Sequence, residues 1–176
     1  MSGISLDAIA RYQVDHLVDG LAYWGQSQTN WTLHSEKTRF DIQGLDWDGH
    51  AREAALARAM QDERTAGDAA AVAQAAQQTA RLESDALMAL RSKVLSNVAA
   101  AREDGFTVDD DFSVQDTLTE YDDEQTARNR QSAAEQHCAD IYSSAKAFHE
   151  YDEQVAEMFR QHRVDLQKVN GHIRAV

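Results

Sequence analysis

Hydrophobic and polar positions repeat along most of this chain with the spacing of an α-helix. Between Leu17 and Leu45, apolar and aromatic residues recur at steps of three, four or seven, and Trp24 and Trp31 belong to this stripe. A second stripe follows residue 50 through an alanine-rich stretch, and a third ends at Val169. Such spacing is typical of amphipathic helices. The pattern predicts three long helices, over residues 6–44, 50–103 and 117–169.

The composition adds to this prediction. The 176 residues include no proline and only eight glycines, so little in the chain interrupts a helix. The predicted fold class is all-α, an antiparallel bundle of three long helices that forms a single domain over residues 1–176. Its parts are a helical hairpin over 1–104, an acidic turn over 105–116 and a third long helix over 117–170.

Residues 103–117 have a different pattern from the rest of the chain. Gly105 is a typical residue to end a helix, and the triplets "FTV" and "FSV" then flank three aspartates. This arrangement predicts a tiny β-hairpin over 106–114. A calcium loop is the alternative, but the alternating oxygen ligands, central glycine and distal glutamate of an EF-hand do not line up. A solvated acidic turn is therefore expected.

The charge and hydropathy exclude several partners. The net charge is −13, from 17 basic and 30 acidic residues, and such a surface repels phosphate backbones. We therefore expect no nucleic-acid binding. No apolar run approaches the ~20 residues needed to span a bilayer. The first twenty residues also lack the basic and apolar segments of a signal peptide.

The motifs of catalysis and metal binding are missing as well. The sequence contains no Glu-x-x-His, no His-Glu-x-x-His and no nucleotide-binding loop. The single cysteine, Cys138, follows His137 directly, but adjacent helical residues point about 100° apart and do not readily form a reactive pair. We predict a non-enzymatic protein with no catalytic residues, no cofactor and no metal.

The break between the first two predicted helices carries a Trp-x-Gly triplet, Trp47 to Gly49. In one interpretation, the Trp47 ring covers the apolar helix ends and Gly49 lets the chain turn tightly. In the other, the same residues form an exposed recognition element. A partly exposed indole satisfies both interpretations, with one face packed and the N–H edge open.

This arrangement resembles the WXG family of type VII (ESX) secretion substrates and its larger relatives. The resemblance covers residues 4 to about 104, in which Trp47 and Gly49 match the two fixed motif positions and "HAREAALARAM" matches the small-residue helix behind them. The third helix resembles that of an enlarged member, or of the N-terminal helical secretion domain of longer mycobacterial proteins. The resemblance implies a secreted or cell-envelope protein that acts as a secretion substrate or targeting module.

The resemblance also implies a protein partner, either a WXG-like partner chain, a secretion chaperone or a second copy of the chain. We expect the aromatic residues Trp24, Trp31 and Phe159 to contribute to that interface. The family's export signal, Tyr-x-x-x-Asp/Glu, has no match at any of the five tyrosines. Its nearest approximation is Phe148 with Asp152, so the resemblance predicts a degenerate signal here or a signal on a partner chain or beyond residue 176.

One alternative function is compatible with the same residues. In it the protein is a cytoplasmic helical scaffold, an adaptor or an antitoxin-like partner, and Trp47 is only a structural cap. Neither function requires an active site, and both depend on helix–helix contacts.

Overall fold

The computed structural model describes residues 4–46 and 48–174. In chain order, its elements are α1 (Leu6–Arg11), α2 (Asp15–Gln43), α3 (His50–Glu103), β1 (Phe106–Val108), β2 (Val114–Asp116) and α4 (Glu124–Arg174). The predicted all-α fold class, with three long helices and a tiny β-hairpin, is confirmed.

The first predicted helix is interrupted at residues 12–14, which separate α1 from α2. In α3, Arg91 donates a hydrogen bond from Nε to the Ile9 carbonyl at 3.0 Å and another from Nη2 to the Ala10 carbonyl. A continuing helix would need these two carbonyls as acceptors for the amides of residues 13 and 14. The prediction of one helix over 6–44 is therefore wrong at this point, because a distant arginine takes its hydrogen-bond acceptors.

The last helix begins at Glu124, later than the predicted residue 117. Asp123 caps it, since its Oδ1 accepts from the Thr126 amide at 2.7 Å and its carbonyl accepts from the Ala127 amide at 3.2 Å. The preceding residues are held away from helical geometry by Asp116, whose Oδ1 accepts from the Leu118 amide at 3.0 Å. These local carboxylate contacts outcompete the helical start that the sequence pattern suggested.

The predicted β-hairpin is present, and its second strand extends to Asp116. The strands are antiparallel, with Phe106 opposite Asp116 and Val108 opposite Val114. At the tip, Phe112 adopts a positive φ of 69° and is buried together with Phe106 and Val108. The hairpin therefore contributes aromatic side chains to a core rather than forming a solvated turn only.

The contacts within the chain divide it into two compact units. Unit 1 comprises Met1–Val14 and Ser84–Val155, and unit 2 comprises Asp15–Glu83 and Ala156–Val176. The division runs through α3 and α4, so each unit contains part of both helices.

Unit 1 has a core of large apolar side chains. Within it α3 and α4 run antiparallel, because Asn97 donates to the Asp140 carbonyl at 3.1 Å while Asp104 lies 2.9 Å from His137. The largest fully buried side chains of the described residues all lie here: Ile9, Leu87, Val94 and Ile141.

Unit 2 has a core made mainly of alanine. Apart from Leu17, the buried apolar residues that the structure describes here are Ala59, Ala69, Ala70, Ala73, Ala76 and Ala80. Gln77 of α3 donates to the Leu21 carbonyl of α2 at 3.3 Å, and Arg39 of α2 lies 2.9 Å from Glu63 of α3, so these two helices are antiparallel. Small side chains bury little apolar area, so this core contributes less apolar burial than that of unit 1.

Candidate functional site

The break between α2 and α3 is built from two glycines. Gly44 donates its amide to the Phe40 carbonyl at 3.0 Å and ends α2. Gly49 has a positive φ of 94°, and its carbonyl accepts from the amides of Arg52 and Glu53 at 3.0 and 3.2 Å. Gly49 therefore sets the direction in which α3 begins and supplies the first acceptor of that helix.

The tryptophan of the predicted recognition motif, Trp47, lies outside the described residues. Its neighbours Asp46, Asp48 and Gly49 are all exposed. No described atom lies within 4 Å of a Cβ placed on Gly49, so no close backbone approach accounts for this glycine. The glycine is required by its left-handed backbone conformation, which side-chain-bearing residues rarely adopt.

The three residues predicted for a partner interface all belong to unit 2 and are half-buried there. Trp24 makes an edge-on contact with Tyr23, with ring centroids 5.4 Å apart. Phe159 lies 6.1 Å from the His162 ring, also edge-on. Trp31 is half-buried in α2. Much of each of these side chains is already covered by the chain itself.

A more exposed apolar surface was missed from the sequence. In α2, Leu33 is 59% exposed, Phe40 is 61% exposed and Val18 is 49% exposed. Of the twelve large apolar residues exposed in the described part of the chain, nine belong to unit 2: Val18, Tyr23, Leu33, Phe40, Leu45, Met60, Leu82, Met158 and Val164. The helical spacing of Val18, Leu33 and Phe40 was the available signal, but the tryptophan stripe drew the prediction to the opposite face. Across the described ranges, no helix is long and apolar enough to cross a membrane.

The pair predicted as a degenerate export signal takes part in an internal contact of unit 1. Phe148 is 5% exposed and packs edge-on against Tyr12, with ring centroids 5.0 Å apart. Asp152 accepts a hydrogen bond from the Tyr12 hydroxyl at 2.5 Å. Burial, followed by the hydrogen bond to Asp152, raises the pKa of the Tyr12 phenol well above its usual value. This contact could not be predicted from the sequence, because Tyr12 is far from both residues along the chain.

A second internal contact fixes the β-hairpin to α4. Arg130 donates from Nε and Nη2 to the two carboxylate oxygens of Asp116, at 2.8 and 2.6 Å. Its guanidinium also lies 3.9 Å from the centre of the Phe106 ring and donates to the Asp104 carbonyl at 2.7 Å. The hydrogen bonds from Arg130 hold the pKa of the Asp116 carboxyl well below its usual range. A bidentate pair of this geometry acts as a structural clamp.

The residues with potential for chemistry are also engaged in internal contacts. His137 lies 2.9 Å from Asp104, and half-buried Cys138 donates to the Phe112 carbonyl at 3.6 Å. In the described ranges, no three His, Cys, Asp or Glu residues are grouped so that they could hold a metal ion. Two carboxylates at the acidic hairpin tip are engaged in local hydrogen bonds, because Asp109 and Asp111 accept from Ser113.

The chain is similar to proteins from mycobacteria. It is 28% identical over 115 residues to the uncharacterized protein Rv2077c of Mycobacterium tuberculosis (strain ATCC 25618 / H37Rv), and equally to the uncharacterized protein Mb2102c of Mycobacterium bovis. The matched stretch covers 65% of this chain and 36% of each relative, so the chain spans well under two thirds of these proteins. No family model matches the sequence, and no solved structure matches it either.

Proposed function

We propose that this chain is a non-enzymatic helical protein associated with type VII secretion, which acts as a secretion substrate or targeting module through helix–helix contacts. The observation that carries the proposal is the helix break at Gly49. Two long helices, α2 and α3, meet at a glycine with a φ of 94°, and the sequence there is the Trp-x-Gly triplet. The exposure of Asp48 and Gly49 leaves this turn accessible to a binding partner.

The distribution of apolar surface supports a protein partner. The exposed large apolar side chains concentrate in unit 2. The core of this unit consists mainly of alanine, so these large side chains are not part of it. Contiguous exposed apolar surface on a soluble protein commonly marks an interaction site. A long helix that presents Leu33 and Phe40 to solvent is suited to pack against another helix.

The electrostatics support a non-enzymatic role. Strongly perturbed pKa values often mark catalytic groups, but they also arise in structural ion pairs. Here the raised pKa of Tyr12 follows from burial and its contact with Asp152, and the lowered pKa of Asp116 follows from Arg130. Both contacts hold elements of unit 1 together, and in each of them the group with the shifted pKa is bonded to another side chain of the unit.

The similar proteins are longer proteins from mycobacteria, and this chain matches about a third of their length. In our proposal the helical region serves longer proteins of this kind as well. Because Phe148 is buried and Asp152 is bonded to Tyr12, we propose that export depends on a signal other than this pair.

Secretion can be tested directly in a mycobacterial host. The tagged chain would be expressed in strains with and without an intact type VII secretion system, and its level in culture filtrate measured against a cytoplasmic marker. We expect export only from the intact strain, and a loss of export for Trp47→Ala with an unchanged circular dichroism spectrum. The matched control is Leu45→Ala, an exposed neighbour outside the triplet, which should be exported normally.

Three outcomes would contradict the proposal. Equal filtrate levels from both strains would remove the link to type VII secretion. A Trp47→Ala variant that unfolds would reduce Trp47 to a structural cap and favour the cytoplasmic adaptor. A folded variant that is exported as well as Leu45→Ala would exclude the triplet as a recognition element.

A further inference from the structure

One face of α2 is exposed along nearly the whole helix. Seven residues on this face follow one another at steps of 4, 3, 4, 4, 3 and 4 residues. At 100° per residue they lie within an arc of about 80°. All are exposed except Gly25, which is half-covered by Gln77 of α3. We call this face the outer stripe: Val18, Ala22, Gly25, Thr29, Leu33, Glu36 and Phe40.

The outer stripe has the character of a helix-packing face. Its large apolar members lie toward the two ends, with Val18 near the start of α2 and Leu33 and Phe40 in its second half. In the middle, Ala22 and Thr29 are small and exposed, which lets a second helix approach closely, while Gly25 between them is partly covered by Gln77. The half-buried Trp24 and Trp31 lie on another side of the helix, so the outer stripe is a separate surface.

The order of steps in the outer stripe reads the same from both ends, with Thr29 at its centre. Two antiparallel copies related by a two-fold axis at Thr29 would therefore place every stripe residue opposite another. Val18 of one copy would face Phe40 of the other, and Gly25 would face Leu33. Large side chains would then meet either apolar or small ones, as a self-complementary two-fold interface requires.

Charges beside the outer stripe favour the same antiparallel arrangement. Asp19 and Lys37 are both exposed on the same flank, about 100° around the helix from Val18, and Lys37 also pairs with Asp41 of its own helix at 2.7 Å. In an antiparallel pair that flank meets itself, so Asp19 of each copy would lie near Lys37 of the other, offset by roughly 3 Å along the axis. In a parallel pair this flank would lie on opposite sides of the two helices, so Asp19 of one copy would not meet Lys37 of the other.

We propose that a second copy of this chain docks antiparallel on the outer stripe of α2. This names one partner for the helix–helix contact of the proposed function, yet it requires no secretion, so the two proposals can fail separately. The stripe is roughly 33 Å long at 1.5 Å per residue. One helix face of this length is at the low end of interface sizes, so the dimer should be reversible in the micromolar range.

The first test is sedimentation velocity over the micromolar concentration range. Wild type should shift from monomer to dimer, and Leu33→Glu should weaken the association at least tenfold. The matched control is Leu82→Glu, because Leu82 is 67% exposed on α3 of the same unit but lies outside the outer stripe. Both positions are exposed, so both variants should keep the helix content of the wild type.

The second test examines the register. In a Cys138→Ser background, Thr29→Cys should form an intermolecular disulfide on mild oxidation, because the two-fold axis brings the two cysteines together. Asn30→Cys is the matched control, since it is exposed but rotated off the stripe. Lys37→Glu should weaken the dimer, because it places a second carboxylate near Asp19 of the other copy. Adding Asp19→Lys should restore the dimer.

Dimerisation lost in Leu33→Glu but kept in Leu82→Glu, with cross-linking specific to Thr29→Cys, would support the proposal. A wild type that stays monomeric throughout the micromolar range would overturn it. Equal effects of Leu33→Glu and Leu82→Glu, or equal cross-linking at residues 29 and 30, would also overturn it.

Discussion

The two units of this protein use opposite solutions to the problem of packing long helices. Unit 1 buries large side chains from α1, α3, α4 and the hairpin, including Ile141 and Phe148. Unit 2 buries mainly alanines and leaves Leu33 and Phe40 of α2 exposed. A fully buried large apolar side chain contributes about 1.5–3 kcal/mol, and a single methyl group much less. Unit 1 therefore carries most of the stability, and unit 2 has apolar surface left for a partner.

Because unit 1 has the core of large side chains, the largest loss of stability is expected from truncating a buried phenylalanine of that unit. Phe148→Ala should lower the free energy of unfolding by about 3–5 kcal/mol, because it empties a buried site that Tyr12 packs against. Phe159→Ala removes a half-buried ring of unit 2 and should cost clearly less. Urea unfolding followed by circular dichroism gives both values. Equal losses would contradict the assignment of stability to unit 1.

A smaller effect is expected from overfilling the alanine core of unit 2. Ala76 has no accessible surface, so Ala76→Leu should force the helices apart and cost about 1–3 kcal/mol. Ala75→Leu, one residue earlier on the exposed side of α3, should be nearly neutral. If Ala76→Leu stabilises the protein in thermal melts, the core of unit 2 contains unfilled space, and packing does not require a small residue at position 76.

Two glycine substitutions, one at the helix break and one inside α3, should change the free energy of unfolding in opposite directions. Gly49→Ala should destabilise by roughly 1–2 kcal/mol, because alanine in the left-handed region is strained even where space is open. Gly67→Ala inside α3 should instead stabilise by about 0.5–1 kcal/mol, since that glycine is helical and no described neighbour outside its own helix backbone lies within 4 Å of a Cβ placed there. A stabilised Gly49→Ala variant would mean that the turn adopts another conformation in solution.

The smallest expected effect concerns pH and unit 1. Asp116→Asn keeps an acceptor for Arg130, so its cost at neutral pH should be modest. The folded pKa of Asp116 is depressed, so the ion pair stabilises the protein above the ordinary aspartate pKa of about 4 and loses that contribution as pH falls below it. The stability difference between wild type and Asp116→Asn should therefore close in acid. A difference that stays constant from pH 7 to pH 3 would contradict this origin.

The sequence predicted the helices well because their signals are local. Helical spacing, the lack of proline and the position of Gly105 were enough for three long helices and for the hairpin between the last two of them. The interruption at residues 12–14 was not predictable in this way, because it depends on Arg91, which only the folded chain brings to the end of α1. The start of α4 was readable after all, since Asp123 and Thr126 form an ordinary capping pair.

The candidate site was predicted less well than the fold. Phe148 and Asp152 were considered as a surface signal, but their contact with Tyr12 is a long-range property of unit 1. Trp24 and Trp31 suggested an interface by size alone, although size says nothing about which side of α2 the chain covers itself. The exposure of Leu33 and Phe40 became evident only once α3 was seen to contact α2 at Leu21 and Arg39.

The most direct test of this account is hydrogen–deuterium exchange of the full chain at two protein concentrations, one below and one above the expected dissociation constant. If α2 associates through the outer stripe, amides of Asp15–Gln43 should exchange more slowly at the higher concentration. Amides of residues 84–103 and 124–155 in unit 1 should be slow and unchanged at both. Exchange in α2 that does not depend on concentration, or protection that appears in unit 1 instead, would contradict the account.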